Sequence, residues 1–240
     1  MSLWSNCYHS VYAAICGLPP NVRIFHYQFL STRALSKDLR RLLPGLRGAL
    51  LDVGCGEKPY AKWTTGITCY VGIDTVSRGA DVLVGNHEEW PFADNTFDAV
   101  LCTQVMEHVD DVGRLLSEIT RVLKPGGNLV LTVPFAYNEH DAPRDFWRFS
   151  AHGARRLLEQ GYDIDVLKSQ GAIGSTCGLL CLNWIDASLG QTRVGRFLKG
   201  VMLPVWIVVS LVINLIGSFV DYLDRTDSFY SNVLVIARRR

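Results

Sequence analysis

A glycine-rich turn follows a short apolar run near residue 50. Residues 50–56 read LLDVGCG, which places Gly54 and Gly56 directly after that run. Glycines at such a turn let the backbone approach a ligand closely. Asp74 ends the next apolar run, twenty residues after Gly54, where a carboxylate can accept both hydroxyls of a ribose. The two features together predict a nucleotide site.

The residues around the turn argue against a dinucleotide. A dinucleotide fingerprint has a third glycine at the position that Pro59 occupies. Asp52 lies beside the turn, and its carboxylate would repel a pyrophosphate. The same carboxylate favours a ligand with an ammonium or a sulfonium group, and S-adenosyl-L-methionine carries both.

A second group of residues could act on an acceptor. His140 is followed by Asp141 and Asp145, and either carboxylate could orient the imidazole as a general base for a hydroxyl. We take His140 and Asp141 as the catalytic candidates; the alternative is that His140 only fixes its loop by hydrogen bonds. Glu107 and His108 could also be catalytic, but packing near the cofactor is the favoured role. The aromatic residues after Asp145 form a lid or stack on a substrate: Phe146, Trp147 and Phe149.

Apolar runs alternate with amphipathic segments along the chain. The runs at 49–53, 70–73, 80–84, 98–103 and 128–133 are typical of strands covered on both faces. An amphipathic helix capped by Asp110 or Asp111 separates the last two. A helix at 151–159 and strands at 163–167 and 233–237 follow. This order predicts an α/β fold with a doubly wound sheet.

Five motifs in this order resemble those of class I S-adenosylmethionine-dependent methyltransferases of the type-11 family. They are residues 51–56 (LDVGCG), 72–74 (GID), 90–100 (WPFADNTFDAV), 106–109 (MEHV) and 123–127 (LKPGG). The resemblance covers about residues 48–170 and returns at 231–238, and Lys58 stands where the family has a third glycine. It implies a Rossmann-like methyltransferase fold with a seven-stranded sheet whose last strand runs antiparallel. It also implies methyl transfer from S-adenosylmethionine.

The resemblance assigns parts of the cofactor to segments of the chain. The glycine turn would line the methionine moiety with Asp52 near its amino group, and Asp74 would hold the ribose with Thr75 beside it. Asn86, where the family commonly has aspartate, and His87 would read the adenine. The methyl group would lie at the end of the fourth strand. The expected cofactor-binding residues are Asp52, Gly54, Cys55, Gly56, Asp74, Thr75, Asn86, His87, Thr103 and Gln104.

The composition excludes several other functions. The 240 residues carry a net charge of +1, so no overall field draws the protein to nucleic acid. The seven cysteines include no CxxC pair, a pattern typical of reduced cytosolic thiols. Cys177 and Cys181 form too sparse a cluster for zinc, so we expect no metal site.

An apolar segment explains the high mean hydropathy of +0.14. Residues 201–220 carry no charge and are long enough to cross a bilayer core. A single pass would separate the last strand from its sheet. A two-pass hairpin with 172–189 would place basic residues on the far side, against the positive-inside tendency. Two interpretations remain: a buried homodimer or lid element and, as we expect, an interfacial or re-entrant helical element at the inner face of the cytoplasmic membrane.

The predicted organisation has three parts. Residues 1–48 form an N-terminal helical cap, 49–170 with 229–240 form the methyltransferase domain, and 171–228 form an apolar helical insertion before the last strand. By resemblance, the glycine turn together with 145–149 (DFWRF) accompanies surface-glycan and lipid pathways. We therefore expect O-methylation of a small-molecule, glycan or lipid-linked acceptor. The alternatives are a C-methyltransferase of quinone-type lipids and a non-catalytic methyltransferase-like scaffold.

Overall fold

The computed structural model describes residues 3–85 and 87–240. The strands are β1 Gly48–Val53, β2 Ile67–Asp74, β3 Val82–Leu83, β4 Phe97–Thr103, β5 Leu123–Pro134, β6 Tyr162–Gln170 and β7 Asn232–Arg239. The helices are α1 Leu3–Cys16, α2 Phe29–Leu42, α3 Val112–Val122, α4 Ala151–Leu158, α5 Ile173–Gly190, α6 Arg193–Val201 and α7 Leu203–Leu223. Short 3₁₀ turns lie at Leu43–Gly45, Ala61–Trp63 and Met106–His108.

Internal contacts divide the chain into two units. The sheet unit comprises Lys37–Phe135, Glu139–Ser169 and Asn232–Arg240. The helical unit comprises the chain up to Ser36, Ala136–Asn138 and Gln170–Ser231. The predicted cap and the predicted insertion thus both contribute to the helical unit.

The strands of the sheet unit form one seven-stranded sheet in the order β3-β2-β1-β4-β5-β7-β6. Neighbours from β3 to β5 run parallel, and β7 runs antiparallel to β5. This confirms the doubly wound sheet with an antiparallel last strand. Because the strand order reverses at β1 and β4, the carboxyl ends of these two strands flank a crevice.

The apolar runs of the sequence explain the central strands. Leu50, Leu51, Val100 and Leu101 are fully buried, as expected for strands covered on both faces. The predicted third strand, 80–84, is shorter than expected and comprises only β3. Just before β3, two hydrogen bonds join Asp81 to Gly72: the N–H of Asp81 donates to the carbonyl of Gly72 at 2.9 Å, and the N–H of Gly72 donates to the side chain of Asp81 at 2.7 Å.

The helix α3 follows the predicted amphipathic pattern. The side chain of Asp111, one of the two candidate caps, accepts a hydrogen bond from the N–H of Arg114 at 2.9 Å. Four residues of its apolar stripe are buried: Leu115, Leu116, Ile119 and Val122. The helix ends at β5, and its first turns lie at the crevice.

The helical unit has a small core of its own. Tyr12 and Cys16 of α1 pack with Leu182 of α5 and Trp206 of α7. The helices α5 and α7 approach closely, because a Cβ atom on Gly174 would lie 2.2 Å from the carbonyl oxygen of Gly217. Among the described residues, α7 is the one helix long and apolar enough to cross a membrane by length and composition.

Candidate active site

A cavity of about 270 Å³ opens at the carboxyl ends of β1, β2 and β4. Four of the predicted cofactor residues line it: Gly54, Asp74, Thr75 and Gln104. Its other walls are Val53, Ile73, Val84, Gly85, Glu88, Trp90, Val105, His108, Val109, Arg114, Leu115, Glu118 and Arg144. The cavity thus lies at the place in the sheet where this fold type binds nucleotides.

The glycine turn has the backbone shape that glycine permits. Gly54 and Gly56 have φ values of 63° and 50°, in the left-handed region. A Cβ atom on Gly54 would lie 2.4 Å from Cγ2 of Val105, so no larger residue fits there without displacing the cavity wall. Lys58 also has a positive φ, 53°, which keeps the local shape expected of the missing third glycine. Cys55 is buried, and its N–H donates to the carbonyl of Ile73 at 3.1 Å.

Asp74 connects the ends of β1 and β2. Its carboxylate accepts hydrogen bonds from the N–H groups of Gly56 at 2.9 Å and Val76 at 3.1 Å. These bonds fix the carboxylate at the cavity wall. Each carboxylate oxygen has more than one acceptor position, so a ribose diol can still bind there.

Asp52 is almost fully buried, with 1% of its surface exposed. Burial raises the pKa of its carboxyl to about 7, and the negative charge of Asp74 adds to the rise. The hydroxyl of Tyr70 donates a hydrogen bond to Asp52, which together with the charge of Lys58 lowers the pKa in part. Asp52 does not line the cavity itself, whereas the two residues that follow it, Val53 and Gly54, do.

The residues expected at the adenine differ in their placement. Asn86 lies outside the described residues. His87 is exposed, with its Nε2 atom 3.5 Å from a carboxylate oxygen of Asp110, and it does not line the cavity. Glu88 lines the cavity instead and accepts a hydrogen bond from the N–H of Gly85 at 2.9 Å. The sequence analysis did not predict that Glu88 lines the cavity. The signal for it was that the family commonly has a carboxylate in this stretch, at the position of Asn86.

The end of β4 is held by side-chain hydrogen bonds. Gln104 has a φ of 55°, and its amide donates to Thr132 Oγ1 at 3.1 Å and Asn232 Oδ1 at 2.9 Å. Thr103 is the last residue of β4 and does not line the cavity. Gln104 is therefore fixed at the place where the resemblance puts the methyl group.

The loop after β5 orients His140 through Asp145. The Nδ1 atom of His140 lies 3.1 Å from Oδ2 of Asp145, and its backbone N–H donates to the same oxygen at 2.8 Å. Arg148 donates to both oxygens of Asp145, and these hydrogen bonds hold the pKa of Asp145 well below its usual range. Asp141 is exposed with a φ of 54°, so it is a turn residue. Of the two alternatives, Asp145 is thus the partner of His140, not the Asp141 of the catalytic prediction.

Glu107 and His108 lie beside this pair. Nδ1 of His108 is 2.6 Å from the carbonyl oxygen of Arg144, and the rings of His108 and His140 have centroids 4.8 Å apart. Glu107 is fully buried, and burial raises the pKa of its carboxyl. Both residues were expected to pack near the cofactor, and His108 forms part of the cavity wall.

Residues 51–131 match the model of the methyltransferase domain family. The ubiquinone/menaquinone biosynthesis C-methyltransferase of Desulfotalea psychrophila is 46% identical over 63 residues, which cover 25% of this chain and 26% of that protein. The demethylmenaquinone methyltransferase of Bacillus mycoides is 32% identical over 127 residues, covering 42% and 52%. The chain thus spans about a quarter to a half of the length of these curated relatives.

Solved structures agree on the fold. An S-adenosylmethionine-dependent methyltransferase from Mesorhizobium loti aligns over 88% of this chain and all of its own, with a TM-score of 0.54 and 17% identity. Residues 51–131 therefore resemble the methyltransferase domain family, and the sheet has the class I methyltransferase fold. The cofactor of this class is S-adenosylmethionine, and the glycine turn, the Asp74 carboxylate and the cavity between them fit it.

Proposed function

We propose that this protein is an S-adenosylmethionine-dependent methyltransferase whose acceptor is a hydroxyl group of a lipid-linked or cell-surface glycan. The observation that carries the proposal is one cavity wall with Asp74 at the cofactor end and His108 next to the His140–Asp145 pair. The cofactor site and the proton-accepting histidine, His140, then both lie in the sheet unit.

Different residues of the chain bind the cofactor and accept the proton. The bound cofactor supplies an electrophilic methyl group, so the protein contributes position and exclusion of water. Asp74 holds the ribose, and the glycine turn allows close approach of the backbone. Asp145 keeps the Nδ1–H of His140, which directs Nε2 to accept the proton of the acceptor hydroxyl.

A second candidate is a C-methyltransferase acting on a quinone-type lipid. It is supported by the similarity to the two quinone-pathway enzymes named above. Both acceptors are associated with membranes. They differ in chemistry, because a hydroxyl acceptor benefits from a base and a carbon acceptor depends less on His140.

A methyl-transfer assay with tritium-labelled cofactor and cell-envelope extract tests these proposals. We expect label in the lipid-extractable fraction, and a 10²- to 10⁴-fold loss of rate in His140→Ala, the usual contribution of a general base. His152→Asn changes an exposed histidine on α4 and is the matched control. Full activity of His140→Ala with the label on a quinone ring would support the second candidate. No transfer by a protein that binds S-adenosylhomocysteine would favour the non-catalytic scaffold.

We further propose that the helical unit contacts the inner face of the cytoplasmic membrane. The supporting observation is that the most buried positions of α7 include its polar and small residues, whereas many of its large apolar residues are exposed. The buried face is Trp206, Ser210, Asn214 and Gly217. The exposed face is lined by Val205, Val208, Val212, Leu215, Ile216, Phe219, Tyr222 and Leu223. A water-exposed helix has the opposite arrangement, whereas a helix in lipid has this one.

The contacts of α7 favour a helix lying in the membrane surface over a spanning one. The amide of Asn214, near the middle of α7, donates to the backbone carbonyls of Ile24 at 2.7 Å and His26 at 2.9 Å. A spanning α7 would carry this irregular backbone, with the exposed Arg23, into the hydrocarbon core, where it is disfavoured. Exposed Phe197 and Leu198 on α6 extend the apolar surface, and Arg196 on the same helix can meet anionic headgroups.

Flotation with liposomes of phosphatidylglycerol and phosphatidylcholine tests the membrane contact. We expect the full chain to float, and the triple variant Val208→Ser, Val212→Ser, Leu215→Ser to stay soluble, because each change removes about 1 kcal/mol or more of apolar burial in lipid. A control triple variant carries serine at three exposed apolar positions of the sheet unit, Val76, Leu83 and Leu157. A wild-type chain that stays soluble as a dimer, which the α7 triple variant dissociates, would overturn this proposal for a homodimer interface.

A further inference from the structure

Three side chains of the kind that bind metal ions converge in the sheet unit. One ligand atom each of Glu107, His108 and His140 lie within 4.8 Å of one another. His140 is thirty-two positions after His108 in the sequence, so no metal-binding motif shows in the spacing. The fold brings them together because the loop after β5 packs on the 3₁₀ turn that carries Glu107 and His108.

Hydrogen bonds orient both imidazole rings in the same sense. A carbonyl oxygen only accepts, so the contact of His108 Nδ1 with Arg144 at 2.6 Å places a proton on Nδ1. The contact of His140 Nδ1 with the carboxylate of Asp145 at 3.1 Å does the same. Both rings therefore present Nε2 as their acceptor nitrogen. This arrangement, with Nδ1–H bound to a carbonyl or a carboxylate, is typical of histidines that ligate metals.

Glu107 supplies an independent observation that points to a cation. It is fully buried, and neither carboxylate oxygen has a hydrogen-bond partner among the described residues. Its Oε1 lies 4.0 Å from Nε2 of His108. The nearby cation, Arg148, directs both of its terminal nitrogens to Asp145. A buried carboxylate without its own partner is strongly disfavoured, and a bound cation removes this penalty.

The backbone holds the two segments together. The carbonyl of Glu107 accepts hydrogen bonds from the N–H groups of Phe146 at 2.7 Å and Trp147 at 3.3 Å. The indole of Trp147 donates to the carbonyl of Val109 at 2.9 Å. The ligand set is thus fixed before any ion binds, as a preformed site requires.

We propose that Glu107, His108 and His140 bind one divalent first-row transition-metal ion, through a carboxylate and two Nε2 atoms. Two imidazoles and one carboxylate suit zinc, iron or cobalt, whereas magnesium and calcium prefer oxygen ligands throughout. Three protein ligands leave a position open for an acceptor oxygen. His108 lines the cavity, so that position adjoins the cofactor site.

The catalytic consequence, unlike the binding itself, rests on the proposed function. With the ion bound, Nε2 of His140 holds the metal and no longer accepts a proton. The ion then lowers the pKa of the bound acceptor hydroxyl, whose proton leaves to water. The alkoxide oxygen then forms a bond to the methyl carbon as the bond between that carbon and the cofactor sulfur breaks, and S-adenosylhomocysteine leaves.

Titration of the chelator-treated full chain with Co²⁺, followed by visible absorption, tests the site. We expect one Co²⁺ per chain with ligand-field bands, and at least a 100-fold weaker Kd in Glu107→Gln and in His140→Asn. Asp145→Asn, which removes the partner of His140, is expected to weaken binding by about 10- to 100-fold. His152→Asn, on exposed α4, is the control and should bind as the wild type does.

Several outcomes would overturn the inference. They are no Co²⁺ binding, equal binding by Glu107→Gln and the wild type, and thiolate charge-transfer bands, which would assign the ion to exposed cysteines such as Cys69 or Cys181. S-adenosylhomocysteine binding, measured on the same samples, separates this inference from the proposed function. A protein that binds S-adenosylhomocysteine but not Co²⁺ would refute the metal site alone.

Discussion

Asp74→Ala is expected to weaken the binding of S-adenosylhomocysteine by about 100-fold. Hydrogen bonds to a charged group contribute about 1.5–3 kcal/mol each, and the loss of two to the ribose amounts to about 3 kcal/mol or more, which is a factor of at least 100. The alanine variant also removes the acceptor for the N–H groups of Gly56 and Val76. Asp74→Asn retains one carbonyl oxygen, so its loss of affinity should lie between those of the alanine variant and the wild type.

Isothermal titration calorimetry measures this effect. Asp163→Ala changes an exposed aspartate that pairs with Arg240 on the far part of the sheet unit, and it is the matched control. Thermal unfolding of each variant shows whether the fold is retained. Equal affinities of Asp74→Ala and the wild type would contradict the assignment of the ribose to Asp74.

Asp52→Asn is expected to have opposite effects on stability and on cofactor binding. The pKa of Asp52 is about 7 in the folded protein, against 3.8 for a free aspartate. The folded state therefore keeps a proton that the unfolded state releases, and this contribution to stability is lost as the pH rises from about 4 to about 7. Asparagine does not ionise, so the variant should gain a few kcal/mol over the wild type between pH 5 and pH 8. Tyr70 can still donate to its amide oxygen.

The affinity for the cofactor should change with pH in the opposite direction to the stability. If the ionised Asp52 faces the ammonium group, binding of S-adenosylhomocysteine by the wild type tightens as the pH rises to about 7, by up to about tenfold per unit. The asparagine variant should lose this dependence and bind more weakly at pH 8. Urea unfolding and calorimetry at pH 5, 6, 7 and 8 measure both quantities. A wild-type affinity that does not change with pH would refute the pairing of Asp52 with the ammonium group.

The sheet was predictable because its strands are buried on both faces. Continuous apolar runs such as 98–103 and 128–133 indicate a parallel sheet, and the glycine turn indicates the end of the sheet at which the cavity opens. The edge strand was less predictable, because one of the two hydrogen bonds between Asp81 and Gly72 is made by the side chain of Asp81. A pattern of residue types does not distinguish that bond from a strand ladder.

The acceptor side of the site was less predictable than the cofactor side. Asp141 and Asp145 follow His140 by one and five residues, so the sequence allows either as its partner, and only the loop conformation fixed by Arg148 selects Asp145. Glu107 and His108 carry no spacing that relates them to His140. Residues of α3 such as Arg114 and Glu118 also line the cavity. The sequence did not predict this, because it does not show which face of the helix lies at the crevice.

The role of the apolar segment was also only partly predictable from the sequence. Its length and lack of charge were evident in the sequence, but these properties fit a core helix and a membrane helix equally well. The direction of burial, which the sequence does not show, is the observation on which the proposed membrane contact rests. Ser210, Asn214 and Gly217 recur every three or four residues and face the rest of the helical unit together with Trp206, whereas the apolar residues on the opposite side of the helix are exposed.

The most direct test of the central claim is calorimetric titration of the wild-type full chain with S-adenosylhomocysteine and, separately, with NADH. The cavity at the ends of β1, β2 and β4 should bind one S-adenosylhomocysteine per chain and no dinucleotide. Absence of S-adenosylhomocysteine binding by a folded protein, or binding of NADH in its place, would contradict the account.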